Sequence, residues 1–521
     1  MDGGRPVFQP STIHPPPSTR ETMMPHKPNV LFVMTDQQRF DTIAALGNGL
    51  IHTPNLDRLV RRGVSFTNAY STCPVCLPAR YTVRTGREPL VTGTFSNSYY
   101  AAPPATMEGR CGPFLARQMG GLGYRTFGIG KFHSDPWDQD LGFDVQLHSE
   151  ELYEDARQRE RDAFARFIRE EHPEYDWIDM LQGERTEMYY VPQMSPLPAA
   201  LTVESWAADR AVEQLLADDG RPFFGFVSFV GPHPPCAPPQ PYNRMYDPDR
   251  MPNPVVGDLA VDHADEQIPW MNHAIWAEDV SPSWARILRA RYYGEISYID
   301  GCLGRILDAV ERRPDAADTV ICFFADHGDL LGDHHGWQKE CFFEAAARTP
   351  FLVSWPARLA GGTRSGELAC LTDLFGIATT AAGAPELRDG ADLLGQLAGT
   401  AAPRRTLLGT YGQPGTSRFT LMLRSGTWKY IFIANGGREQ LFDLAHDPAE
   451  RENLAGREPE VLAGLRAVAE RQLAVPFGAP ALDNGCLRRL DYEPRARRRV
   501  LQFDLSRGVR GFPEHPSDVL S

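Results

Sequence analysis

Asn29-Val-Leu-Phe-Val-Met-Thr35 is an uninterrupted apolar run that ends on Asp36-Gln37. It reads as a buried β-strand with a polar pair at its carboxyl end. Four similar runs follow at Arg125–Gly130, Phe223–Val230, Thr319–Ala325 and Phe351–Trp355. Helical patterns lie between them at Thr53–Arg62, Gly112–Leu122, Val203–Leu216 and Trp284–Arg312. In the last, Ile287, Tyr292, Ile296, Ile299, Leu303, Ile306 and Leu307 approximate one helical stripe. Strands alternating with helices predict an α/β sandwich around a large, mainly parallel central sheet. Past Arg405, the runs Phe419–Leu423, Trp428–Ile433 and Gln440–Leu444 predict a short antiparallel sheet, followed by a helix over Pro459–Leu473. The expected organisation is a flexible tail over 1–28, a catalytic α/β domain over 29–400 and a C-terminal α+β subdomain over 405–475. Residues 476–521 form a surface-wrapping tail or an oligomer arm through which copies of the chain could associate.

Polar residues stand at the ends of these strands: Asp36-Gln37, then Lys131 and His133, then His233, then Asp326-His327. In open α/β sheets ligands bind outside the carboxyl ends of the strands. One such residue is ordinarily a helix cap or a solvated side chain, but four strands delivering ionisable groups to one edge point to a site.

The bulk composition narrows the chemistry. With 521 residues and a formal net charge of -14, the chain offers no extended basic face, which excludes nonspecific nucleic-acid binding. An anionic substrate must therefore be held by a local cluster of cations. Residues 1–28 contain no signal-peptide core, and no stretch approaches ~18 consecutive apolar residues, so a cytoplasmic location without a membrane span is expected. The nine scattered cysteines are expected to be mostly reduced.

One stretch carries the chemistry: Ser71-Thr-Cys-Pro-Val-Cys76-Leu-Pro78-Ala-Arg80-Tyr-Thr-Val-Arg84-Thr-Gly86-Arg87. Pro78 suits the first turn of a helix and Gly86 its end. Cys76 would then sit at a helix N-terminus, with Arg80 one turn on along the same face. On physics alone this is an activated thiol or an anion site. Cys73-x-x-Cys76 could also be a redox pair or half a zinc site, but no second cysteine pair has metal-ligand spacing.

With Cys76-x-Pro78-x-Arg80 and Thr85-Gly86-Arg87, the sequence resembles the type I sulfatases of the alkaline phosphatase superfamily, over about Asn29 to Leu454. Ala79 stands where many members have serine. The resemblance implies hydrolysis of a small-molecule or saccharide sulfate ester. It also implies that a separate maturation enzyme oxidises Cys76 to formylglycine. One hydroxyl of the hydrated aldehyde would attack sulfur and the other, once deprotonated, would expel sulfate. By the same likeness Asp36, Gln37, residue 76, Asp326 and His327 would hold one divalent metal, with calcium favoured and manganese next. Gly130-Lys131-Phe132-His133 resembles the family's Gly-Lys-x-His segment and Pro232-His233-Pro234-Pro235 its Pro-His-x-Pro loop, while Lys339 matches the lysine after the second metal pair. Lys131, His233 and Lys339 would hold sulfate oxygens or assist the leaving group, His133 would be the base, and Arg80 would orient the diol. Asn97 resembles a substrate-contacting asparagine of some relatives. The Asp-Gln and Asp-His variants resemble the choline-sulfatase and iduronate-sulfatase branches. Phosphonate monoester and phosphodiester hydrolases are the rival within the superfamily; they typically carry hydroxyl side chains where this chain has Lys131 and His133. Leaving-group specificity is expected in the loops Ser96–Pro104, Gln139–Met194 and Pro234–Glu278. Asp333-His334-His335 reads as structural or as support behind the site, and Arg495–Arg499 as a solvated or subunit-contact run.

Overall fold

A computed structural model describes residues 1, 27–150, 156–176, 190, 192–274 and 281–496. The 1–28 tail falls almost wholly, and residues 497–521 of the C-terminal tail wholly, outside the described residues, and with them Arg497, Arg498 and Arg499 of the basic run.

Eight strands form the central sheet: β1 Asn29–Thr35, β2 Val64–Tyr70, β3 Arg125–Gly130, β4 Val145–His148, β5 Phe223–Ser228, β6 Thr319–Ala325, β7 Phe351–Ser354 and β8 Thr363–Cys370. Their order is β4-β3-β5-β1-β6-β7-β2-β8. All neighbours pair in parallel except β7, which is antiparallel to both β6 and β2. Such a sheet must be covered on both faces, and β1 shows how. Leu31 and Val33 face a core shared with α1 (Pro54–Arg62) and the helices Val203–Leu216 and Pro282–Glu311. Val30, Phe32 and Met34 face the opposite core, shared with α2 (Cys76–Thr85) and the helix Asp373–Ala381. Each fully buried side chain of this size contributes about 1.5–3 kcal/mol, so a strand apolar at every position is fixed in place by both layers.

The strands expected at Asn29–Thr35, Arg125–Gly130 and Thr319–Ala325 form with those bounds, while two end earlier, at Ser228 and Ser354. Strands β2, β4 and β8 add to the sequence reading. Beyond residue 405, β9 Thr406–Tyr411, β10 Thr420–Ser425, β11 Trp428–Ile433 and β12 Arg438–Asp443 form an antiparallel sheet in the order β12-β11-β10-β9, with the helix Pro459–Leu473 against it. Its other face packs on Tyr70, Cys73 and Val75, just ahead of α2. A buried ion cluster joins the two units: Lys429 Nζ lies 3.0 Å from Glu344 Oε1 and 2.8 Å from Glu450 Oε1. Residues 482–487 form a two-stranded hairpin, and the Arg495 guanidinium lies over the Trp270 ring. Asp333-His334-His335 is tied to its surroundings by ion pairs. Asp333 pairs with Arg39 and Arg289, and His334 Nδ1 meets Asp262 at 2.9 Å. All nine cysteines are unpaired, and no described helix is long and apolar enough to cross a membrane.

Candidate active site

The four strands that deliver polar residues are neighbours in the order β3-β5-β1-β6, all parallel. Their last residues are in register: Gly130 opposes Ser228, Met34 opposes Ser228, and Thr35 opposes Ala325. Asp36, Lys131, His233 and Asp326-His327 therefore emerge along one edge. Gly130 is required there. Its φ is +106°, and a Cβ would lie 1.9 Å from the Ser228 carbonyl oxygen, so only glycine lets β3 approach β5 before the chain turns to Lys131.

Helix α2 brings the other half of the site. It begins at Cys76 and ends at Gly86, whose φ of 62° closes the helix through its N–H to the Thr82 carbonyl. A side chain at Gly86 would meet Phe375. Cys76, Arg80 and Arg84 fall on one face at helical spacing, and all three are buried. Cys76 Sγ lies 3.2 Å from His327 Nε2 and 3.7 Å from Asp36 Oδ1. Arg80 crosses beneath. Its guanidinium donates to Asp36 Oδ2 at 2.9 Å, to the Lys131 carbonyl at 2.5 Å and to Ser228 Oγ at 3.0 Å, with Nε 3.3 Å from Asp326 Oδ2.

Asp36, Cys76, Asp326 and His327 are essentially inaccessible to solvent, and one ligand atom from each lies within 4.8 Å of the others. The set fits a divalent cation. Ligand oxygens at about 2.3–2.6 Å from a calcium ion and at right angles are about 3.3–3.7 Å apart. His327 Nε2 stands 3.8 Å from Asp36 Oδ1 and 3.7 Å from Asp326 Oδ1. The His327 Nδ1 is engaged by the Gly328 carbonyl at 3.0 Å, which leaves Nε2 turned to the cluster. Asp326 Oδ2 is buried and makes no hydrogen bond among the described residues, although Arg80 Nε stands 3.3 Å away as an ion-pair neighbour.

Charge points the same way. Burial and the neighbouring Asp36 push the Asp326 carboxyl up to about 6. For Asp36 burial acts upward too, but Lys131, His233, Arg80 and His327 outweigh it and hold the carboxyl well below its ordinary range. Burial opposes a charged His327, yet Asp326 and Cys76 raise it above the ordinary imidazole value. The cluster thus holds on to positive charge where a cation would sit. Burial and Asp36 would raise the Cys76 thiol, but Lys339, Lys131 and His327 bring it well below its ordinary value.

Cations surround the cluster. Lys131 Nζ is 2.5 Å from Asp36 Oδ2, and Lys339 Nζ is 3.0 Å from His233 Nε2. Lys339 Nζ also donates to Gln37 Oε1 at 2.5 Å, while Gln37 Nε2 donates to Asp329 Oδ2 at 2.5 Å. The carbonyl of Gln37, expected from the sequence at the metal, is therefore taken by Lys339 here. Asn97 lies close to the helix start, where its Oδ1 accepts the Leu77 N–H at 3.0 Å and so caps α2. His133 has a φ of 48° and a buried Nδ1 without a partner among the described residues. It lines a cavity of about 540 Å³ together with Leu77, Asn97, Tyr100, Trp137 and Glu150. Two of the loops expected to carry specificity, around Ser96–Pro104 and Gln139–Met194, thus border it. Ser228, Asp329, Arg84 and Glu150 belong to this surrounding structure and were not singled out from the sequence.

Residues 28–384 match the family described as sulfatase. The chain belongs to the sulfatase family. Among curated sulfatases it is 28% identical over 449 residues to an arylsulfatase of Clostridium perfringens, covering 83% of this chain and 91% of that protein. It is 28% identical over 458 residues to a choline-sulfatase of Rhizobium meliloti, covering 82% of each. A solved phosphonate monoester hydrolase of Agrobacterium radiobacter superposes with a TM-score of 0.71 at 26% identity, covering 86% of this chain and 95% of that one. The eight-stranded sheet with its added antiparallel sheet is the sulfatase architecture of the alkaline phosphatase superfamily.

Proposed function

We propose that this sulfatase-family enzyme hydrolyses a sulfate monoester to alcohol and sulfate, with Cys76 converted to formylglycine by a separate maturation enzyme and a divalent metal held by Asp36, residue 76, Asp326 and His327. The observation that carries this reading is the position of Cys76, 3.2 Å from His327 and 3.7 Å from Asp36 in a buried ligand cluster flanked by Lys131 and Lys339. A hydrated formylglycine beside a metal supplies one hydroxyl to attack sulfur and a second whose deprotonation restores the aldehyde and expels sulfate, which serine or cysteine cannot do. Calcium suits the mixed carboxylate and imidazole set, with manganese next.

The chain's own side chains take the remaining roles. Arg80 ties Asp36 and Asp326 together and so fixes the bed on which residue 76 lies. Lys131, His233 and Lys339 present positive charge to the sulfate oxygens and to the departing alcohol, in a site that excludes water. His133 accepts the proton whose loss releases sulfate. Asn97 orders the start of α2 and lines the leaving-group cavity, where a small-molecule or saccharide alcohol would sit. Gln37 sets the orientation of Lys339 and becomes a ligand only where Lys339 turns to substrate. Catalysis is assigned to residues 29–400, with 405–475 as an accessory subdomain.

A phosphonate monoester or phosphodiester substrate is the second reading, supported by the likeness to the Agrobacterium enzyme. Lys131 against Asp36, with His133 next to it, favours sulfate. Steady-state rates of matured, metal-loaded enzyme on an aryl sulfate, an aryl phosphate diester and an aryl phosphonate monoester decide between them. The sulfate ester is expected to have the highest kcat/KM, and a wide margin in favour of the phosphorus esters would overturn the assignment.

A further inference from the structure

The segment Lys131-Phe132-His133 is held by side chains from two directions, while the Lys131 N–H stays paired with the Ser228 carbonyl of β5 at 3.0 Å. On one side, α2 extends Arg80 to the Lys131 carbonyl at 2.5 Å and Arg84 to the Phe132 carbonyl. On the other, a single carboxylate takes the amides. Glu150 Oε1 accepts the Phe132 N–H at 2.7 Å and the His133 N–H at 3.1 Å, and Oε2 accepts the His133 N–H at 3.1 Å. Phe132 is fully buried, which fixes the middle of the segment, while His133 stays half-buried at the cavity.

Two features make Glu150 more than a chance acceptor. It is only 4% exposed, and burial is outweighed by His148, His133 and the Phe132 amide, so the carboxyl stays below its ordinary range and ionised. Charge-assisted bonds of this kind are stronger than bonds to a neutral acceptor. His133 also adopts φ 48°, in the left-handed region that a residue with a Cβ avoids unless its surroundings impose it. Glu150 supplies that constraint, and it is itself fixed, because its N–H donates to the buried Asp162, which caps the helix Ala163–Glu171. His148, stacked on Trp137 and edge-on to Phe132, stands 3.5 Å from the same carboxylate.

We propose that Glu150 is a positioning residue for the reaction: its carboxylate locks the Phe132–His133 backbone in the conformation that aims the His133 imidazole into the cavity beside residue 76. This rests on His133 being the base that releases sulfate. Displacement of a reacting group by about 1 Å costs on the order of 10²-fold in rate, and here the cost falls on the second half of the reaction, after the alcohol has left.

The test uses matured, metal-loaded enzyme and an aryl sulfate in rapid-quench kinetics. Both Glu150→Ala and His133→Ala should release about one equivalent of alcohol in a burst and then turn over slowly, by about 10²-fold for Glu150→Ala. Glu150→Gln, which keeps one oxygen for the amides but no charge, should lose less turnover than Glu150→Ala. The Glu150→Ala/His133→Ala pair should be no slower than His133→Ala, because the two act as a unit. Should Glu150→Ala fail to fold, Glu150→Asp carries the same expectation, since it keeps the charge but draws the carboxylate back by one methylene. A second readout needs no activity: in metal-free protein with unconverted Cys76, the Phe132 and His133 amides should exchange with deuterium faster in the variant. Parent-like exchange at those amides, or a burst in His133→Ala without one in Glu150→Ala, overturns the proposal. Absence of a burst in both, with faster exchange in Glu150→Ala, overturns the role of His133 as base and leaves the backbone lock standing.

Discussion

Cys76→Ala lowers kcat/KM toward an aryl sulfate by about 10⁵-fold, while the folded protein and the other three side chains of the ligand cluster persist. The size follows from covalent catalysis: with no convertible side chain at 76 there is neither the attacking hydroxyl nor the one that expels sulfate. What remains is electrostatic stabilisation by Lys131, Lys339 and His233, which can assist only water. Folding is spared because Cys76 is the first residue of α2, where alanine is well accommodated, and removing one buried sulfur costs about 1–2 kcal/mol. Cys73→Ala is the control. Its thiol is equally buried, but its contact is the Phe95 carbonyl at 3.7 Å, and burial, with Glu340 and Glu88, raises it well above the ordinary value. Turnover should therefore stay close to the parent's. Comparable losses in both variants would mean that Cys73 and Cys76 act as a pair, which is incompatible with Cys76 alone becoming the nucleophile.

Asp326→Asn lowers kcat/KM by about 10³-fold, and it separates stability from metal binding. Without metal, Asp326 faces Asp36 in a dry cluster, and its carboxyl is pushed up to about 6 by burial and by that neighbour. Because the folded value lies above the unfolded one, ionised Asp326 weighs against the fold. That penalty is absent in the ordinary carboxylate range and below, and fully present above about pH 6. Asparagine removes it, so at pH 7 the metal-free variant should melt no lower than the metal-free parent. A divalent cation reverses the ranking. The parent gains stability on binding, about 2.7 kcal/mol at a hundredfold excess over Kd, whereas the variant has lost one of its two charged oxygen ligands. Calorimetric melting with and without calcium or manganese reads both effects. An Asp326→Asn protein that gains as much from the ion as the parent would remove Asp326 from the ligand set.

The central strands were legible because an apolar run fills their interiors and polar residues stand only at their ends: β1, β3 and β6 have the bounds the sequence predicts. Those that escaped lie at or next to the sheet edges. Strand β8 is largely exposed over Thr363–Glu367, β4 is four half-buried residues, and β2 mixes Ser, Thr and Asn with its apolar positions. Missing β4 had a consequence for the site. Glu150 follows β4 by two residues, much as Asp36 follows β1 and Lys131 follows β3. The rule that located the other strand-end groups would have located it too, had the strand been visible. Asp329 and Ser228 left no comparable signal, because their roles arise from contacts with Gln37 and Arg80 far away in sequence. Asn97 shows the converse. A motif likeness marked it for substrate, and the fold also uses its carbonyl to satisfy the first turn of α2.

All of these assignments depend on Cys76 being a precursor and not the working group. The direct measurement is the mass spectrum of the tryptic peptide Gly63–Arg80 from protein that turns over a sulfate ester. An aldehyde is expected at residue 76 in that peptide, with the extent of conversion rising in step with specific activity. A fully active preparation whose peptide carries only the cysteine thiol would contradict the formylglycine mechanism.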